Sequence, residues 1–294
     1  MKCSGALALC AIPCLTGLLA TPSLAQTTIG GGNCSSATLN GTYAVSMTGR
    51  QVTSAGKFTN VMQANGSVMF DGQSKVTFAM TQSTLQTTGT PLNWSGTYSV
   101  QANCASQMTI SSGGSATFNL AIYSGGADIL FTGSDSTYSY SGGADNQPAT
   151  GCSTAALSGV YVFSGTGYYL TSGSVSAPLA VTGLLQFDGQ GNLTTNLTIN
   201  TGGNSTVQKT TGTYSLSSNC LASATASAAS GTLMGSLSVY NLTAGSPSDA
   251  YLEIAINGNF MASGSMHLVY GQPSPTAMLL DQKGNQASVE EAKL

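Results

Sequence analysis

Along most of the chain apolar side chains alternate with polar ones at a period of two. Tyr43, Val45 and Met47 are set off by Ala44, Ser46 and Thr48; further on come Val76, Phe78 and Met80, and then Phe118, Leu120 and Ile122. This period marks strands with one face on a core and the other toward solvent. The second half repeats it with Leu193, Leu197 and Ile199, and with Leu252, Ile254 and Ile256, where Glu253 falls on the outward face. A helical period is found only, and weakly, near Glu290. In the first half the pattern predicts about eight strands, near 42–48, 61–70, 75–81, 94–101, 106–112, 116–123, 127–132 and 136–140.

The same landmarks occur twice. Cys34, Leu39-Asn-Gly41-Thr-Tyr43, Phe70-Asp71-Gly72, Gly96-Thr-Tyr98 and Cys104 return as Cys152, Leu157-Ser-Gly159-Val-Tyr161, Phe187-Asp188-Gly189, Gly212-Thr-Tyr214 and Cys220, at offsets of 118, 118, 117, 116 and 116. A period of that size is a whole domain rather than a solenoid unit. The chain therefore divides into a leader (1–25), a first β-domain (26–147), its repeat (148–273) and a C-terminal tail (274–294). Eight short strands per copy, joined by turns, predict two tandem antiparallel up-and-down β-barrels, with β-sandwiches as the alternative.

Composition narrows the setting. Only 6% of the 294 residues are charged, against the usual ~25%, and Ser, Thr, Asn, Gln and Gly fill the deficit. With 7 basic and 10 acidic residues there is no basic stripe for phosphates, which argues against nucleic acid. No segment beyond the leader approaches the ~18 apolar residues of a membrane span. Lys2, the apolar stretch Ala6–Ala20 and Ser23-Leu24-Ala25 read as a signal peptide, so a secreted, extracellular or periplasmic location is expected. Removing the leader leaves Cys34, Cys104, Cys152 and Cys220. An even count in an oxidising compartment predicts two disulfides. If strand 1 runs up, strand 4 runs down, which puts Cys34 and the turn holding Cys104 at one end; pairing within each copy, Cys34 with Cys104 and Cys152 with Cys220, follows.

The frame Cys, Leu-x-Gly-x-Tyr, Phe-Asp-Gly, Gly-Thr-Tyr, Cys resembles a secreted domain, without known chemistry, that recurs in tandem in soil-bacterial proteins of low charge. More distantly, Cys34 followed by Leu39-Asn-Gly41-Thr-Tyr43, and the later Trp94-Ser-Gly96-Thr-Tyr98, resemble the opening strands of avidin-like and lipocalin-like (calycin) barrels. Those families carry Trp where Tyr43 and Tyr161 stand, so the resemblance implies the barrel and not its ligand.

Candidate chemistry is sparse. A Ser-His-Asp triad needs a histidine, and the only one is His267, in the strand-like Met266–Tyr270, with no Gly-x-Ser-x-Gly elbow. The cysteines lack zinc-ligand spacing. Gly125-Gly-Ala-Asp128 and Gly142-Gly-Ala-Asp145 are similar to calcium-binding glycine repeats but sit far apart, without a nonapeptide array. No metal and no cofactor are expected. Asp71 and Asp188 read as Asp-Gly hairpin turns with both central residues at positive φ, and the Gly-x-Tyr tyrosines as core or rim aromatics. The longest connections are expected at 49–60, 82–93, 166–178 and 201–209, away from the disulfides, where the Asp-Gly end is too tight for a pocket. These connections bring together Arg50, Lys57, Trp94, Tyr168, Tyr169 and Lys209. Of these, Trp94, Tyr168, Tyr169 and Arg50 are the expected ligand-binding residues, because loops on a rigid barrel are where binding groups gather. The resulting expectation is a non-enzymatic binding module for a small apolar or glycan-like ligand. A structural or adhesive envelope protein with filled barrels is the alternative, and an enzyme with an unfamiliar site the least supported.

Overall fold

A computed structural model describes residues 33–52, 55, 56, 58–243 and 246–270; the predicted leader, the tail 274–294 and Lys57 lie outside them. The first copy comprises β1 (Asn40–Val52), β2 (Phe58–Asp71), β3 (Lys75–Thr84), β4 (Thr90–Val100), β5 (Ala105–Ser112), β6 (Ala116–Tyr123), β7 (Asp128–Ser134) and β8 (Ser139–Asn146). The second comprises β9 (Ser158–Thr171), β10 (Ser174–Asp188), β11 (Asn192–Thr201), β12 (Asn204–Leu216), β13 (Leu221–Ala228), β14 (Gly231–Thr243), β15 (Ser246–Ile256) and β16 (Phe260–Tyr270). Within each copy every strand pairs antiparallel with the next, and β8 and β16 return to β1 and β9. The protein is thus two closed eight-stranded barrels in tandem, not sandwiches.

Each barrel is closed at one end by its own N-terminal segment. Disulfides join Cys34 to Cys104 and Cys152 to Cys220, across separations of 70 and 68 residues. Loops of that size are worth about 4 kcal/mol each in the chain-entropy account. Beside the first bridge a short 3-10 helix, Ser36–Thr38, leads to the fully buried Leu39, and the Tyr98 hydroxyl donates to the carbonyls of Ser36 and Leu39, both at 3.0 Å. Tyr214 repeats this clamp on Thr154 and Leu157. Beneath them lie edge-to-face stacks, Tyr43–Phe70–Tyr98 and Tyr161–Phe187–Tyr214. The Gly-Thr-Tyr glycines are required by close approach: a Cβ on Gly96 or Gly212 would sit 1.9 Å from the carbonyl oxygen of Thr109 or Thr225.

Three expectations change. The Asp-Gly turns are not two-residue hairpins. Residues 72–74 form the β2–β3 turn, only Gly72 has positive φ (75°), and the Asp71 carboxylate accepts the amides of Gln73, Ser74 and Lys75. Those amides hold the Asp71 carboxyl below the usual range. The expected long connections are mostly strand. β9 and β10 meet at Ser172-Gly173, β11 and β12 at Gly202-Gly203, and β3 and β4 are joined by 85–89. The disulfide end does have room, because the linker crossing there leaves a groove of about 590 Å³ beside Asn40, Asn146, Gln147 and Asn219.

The two interiors differ. In barrel 1, Trp94 packs in the lumen among Phe78, Phe118 and Tyr140, with ring centroids 5.8–6.2 Å apart. Carrying the repeat offsets along the paired strands places Thr195, Thr210, Gly235 and Ala262 at the matching positions of barrel 2. Phe163 at the position of Val45, Leu233 at that of Ala116 and Ile254 at that of Gly133 refill most of the space. What remains is an apolar cavity of about 30 Å³ beside Leu193, Leu197 and Leu252, with Thr195, whose hydroxyl pairs with that of Thr210, in its wall. This lumenal cavity of barrel 2 is far too small for a drug-sized ligand.

Candidate functional site

The expected binding residues separate onto different surfaces. Trp94 belongs to the barrel 1 core. Tyr168 and Tyr169 are neighbours on β9 and so point oppositely: Tyr169 packs on the barrel 2 core at its open end, while Tyr168 faces barrel 1. Lys209 stands exposed on β12. Arg50 and Tyr168 are brought together across the seam, the guanidinium carbon 6.0 Å from the ring centroid, and Phe58 meets the same ring edge-on at 5.4 Å. Burial raises the Tyr168 phenol above its ordinary range, and the Arg50 charge and hydrogen bond offset part of that.

These three side chains line one wall of a groove of about 470 Å³ between the barrels at the open end; Gln63, Asn200 and the Gly202-Gly203 turn complete it. Below the groove Tyr168, Leu170, Val61 and Met261 form an apolar cluster joining the barrels. Further along, the seam becomes polar. Ser263 donates to Gln63, Ser238 to the carbonyl of Gly66 at 2.5 Å, and the Gln147 amide to the carbonyl of Val239 at 3.0 Å. Tyr251 of barrel 2 donates to Asp145 of barrel 1. Burial raises Asp145 to about 6, and Asp128, its cross-strand partner, adds to the shift. The two Gly-Gly-Ala-Asp stretches, far apart in sequence, thus place their carboxyls side by side on β7 and β8. Among the described residues no three His, Cys, Asp or Glu side chains gather as a metal-sized group.

One constellation escaped sequence reasoning. Ser265 Oγ lies 3.2 Å from His267 Nε2, and His267 Nδ1 lies 2.7 Å from Asp249 Oδ1, the atom order of a serine-hydrolase triad. Only the cross-strand register brings Asp249 opposite His267, so no linear motif could have signalled it. Burial pushes Asp249 up, but hydrogen bonds from His267, Asn241 and Ser248 outweigh it and hold the carboxyl below its usual range. Acyl transfer also needs amides aimed at an oxyanion. Ser265 pairs with Tyr251 on one side and Ser164 on the other, which commits the local amides to the sheet. The arrangement is a hydrogen-bonded Ser–His–Asp chain on an outer wall.

Fold and site thus define a tandem β-barrel protein with a groove at the junction of its barrels. No family model matches the chain, and no curated protein does. Among solved structures it is similar to a protein of unknown function from the DUF3598 family of Nostoc punctiforme, over 80% of this chain and 98% of that one, at 9% identity and a TM-score of 0.27. Among the described residues no helix is long and apolar enough to cross a membrane.

Proposed function

We propose that the protein is a secreted, non-enzymatic binding module that takes a glycan-like ligand in the open-end groove between its barrels. The observation that carries this is the meeting of Arg50, Tyr168 and Phe58 across the seam, beside the amide groups of Gln63 and Asn200. Phe58, 40% exposed, offers a ring for the C–H face of a sugar, and the guanidinium and amides suit its hydroxyls. A lumenal ligand of calycin type is disfavoured, since the cavity in the barrel 2 lumen is about 30 Å³ and aromatic rings pack the lumen of barrel 1. Trp94 and Tyr169 then act from behind, keeping the barrels rigid. Two disulfides and the leader-like first 25 residues support secretion.

The filled lumens also favour a second reading, a structural or adhesive envelope protein without a small ligand. Phe58→Ser and Arg50→Gln separate the two. Retention of each variant on a panel of polysaccharides and small hydrophobes is measured beside its melting temperature. Loss of retention at unchanged melting temperature supports the groove; a wild-type protein retained by no member of the panel supports the structural reading.

A further inference from the structure

The middle of the seam buries polar atoms to which the protein gives no partner. Asn65, on the outer face of β2 and 1% exposed, has neither Oδ1 nor Nδ2 hydrogen-bonded. Glu253, on the outer face of β15 and 3% exposed, leaves Oε1 without a partner, although its carboxyl receives the hydroxyls of Ser236, at 3.4 Å, and of Ser83 from barrel 1. Buried polar groups of this kind are rare and call for an explanation. Both line cavities, Asn65 one of about 190 Å³ and Glu253 one of about 160 Å³, and the two cavities share Thr81, Ala222 and Ser236 in their walls. Register explains the adjacency: Asn65 lies opposite Thr81 in barrel 1, and Glu253 opposite Ser236 in barrel 2.

We propose that these adjoining cavities are a binding site for a small, neutral, polyhydroxylated molecule of monosaccharide size, held by Asn65 and Glu253. The chemistry selects this class. Asn65 presents an unmet donor beside an unmet acceptor, and neighbouring hydroxyls on a polyol supply both in return. An ammonium ion would leave Nδ2 unanswered, and an apolar molecule would leave every atom unanswered. No Lys, Arg or His lines either cavity, which removes the counter-charge an anion would need. Burial raises Glu253 to about 8, so the site is uncharged at neutral pH and matched to a neutral guest. Met234, partly exposed on β14, offers an adaptable apolar wall for the C–H face. The site uses none of the side chains of the Arg50 groove and does not depend on that reading.

The test is calorimetric titration of the mature protein with glycerol, D-xylose, D-glucose and N-acetyl-D-glucosamine, and with methylammonium chloride and sodium phosphate for the other ligand classes. The expected result is a roughly millimolar dissociation constant for at least one sugar or polyol, weakened about tenfold or more by Asn65→Leu and by Glu253→Gln. Because Asn65 makes no side-chain hydrogen bond, Asn65→Leu should fold without loss of melting temperature, so lost binding reads as a lost contact. Three results overturn the proposal: no heat with any sugar or polyol, tighter binding of methylammonium or phosphate, and sugar binding abolished by Phe58→Ser yet indifferent to Asn65→Leu. The last of these would leave the groove reading standing alone.

Discussion

The two barrels share strand order, disulfide, tyrosine clamp and turn chemistry, yet fill their lumens differently. Barrel 1 stacks Phe78, Trp94, Phe118 and Tyr140 across its middle; barrel 2 places Thr195, Thr210, Gly235 and Ala262 there and recovers the volume from Phe163, Leu233 and Ile254 at other heights. What duplication kept is the closed end, where each tyrosine clamp holds a specific pair of carbonyls. What it let drift is the apolar middle, where total volume matters more than the identity of each residue. The seam mixes two cases: Arg50 and Tyr168 stand at equivalent positions, 118 residues apart, with different side chains, whereas the counterpart of Ser83 is Asn200 and not Glu253. Phe58 and Arg50 meet Tyr168, and Ser83 meets Glu253. The molecule's distinctive polar chemistry therefore lies between the copies.

Making barrel 1 resemble barrel 2 is the severest disturbance. Trp94→Thr removes a ring that touches three others, and without the Phe163-type refilling it should cost about 3–5 kcal/mol, read from urea denaturation. Thr210→Val in barrel 2, which breaks one hydroxyl pair, should cost about 1 kcal/mol. Equal losses would show that the barrels are packed alike after all.

The seam responds to pH through Glu253. Its folded pKa, about 8, lies above its ordinary 4.5, so between those values the native state binds the extra proton and stability falls as pH rises. From pH 6 to 8 the loss should be about 2 kcal/mol, read as a falling melting temperature and absent in Glu253→Gln. The facing groups are the hydroxyls of Ser83, Ser236 and Ser263, none of which titrates in this range. Asp145, raised to about 6, pulls the same way at lower pH. Asp71, Asp188 and Asp249, held low, add stability that is lost only in acid. The seam should therefore weaken in mild base while the closed ends hold. Phe58→Ser, at a partly exposed position, should change stability least, within about 0.5 kcal/mol.

Strands solvated on one face were legible. β6 alternates buried and exposed without a break, and its expected range, 116–123, is its observed one. β2 was clipped at its start because residues 58–60 are exposed or half-buried and carry no alternating apolar face to signal a strand. The start of β12 falls in the connection expected at 201–209, because residues 204–207 run exposed, with no apolar face to signal a strand. β8 was placed too early because Gly142-Gly143 read as loop, whereas Gly142 is strand that makes room for Phe131. Glu253 was correctly read as outward, but only the docking of two barrels makes an outward residue buried. Of the binding set, Arg50 and Tyr168 meet in space and Trp94 and Tyr169 do not join them, since aromatic content near a turn does not reveal which way a strand points.

The central claim is that ligand chemistry resides between the barrels and not within them. Amide and methyl chemical-shift mapping of the labelled mature protein, against soluble oligosaccharides and small hydrophobes, tests it most directly. The account predicts shifts confined to seam residues such as Arg50, Phe58, Asn65 and Tyr168. Shifts centred on lumenal Leu193, Leu197 and Leu252, with the seam silent, would contradict it.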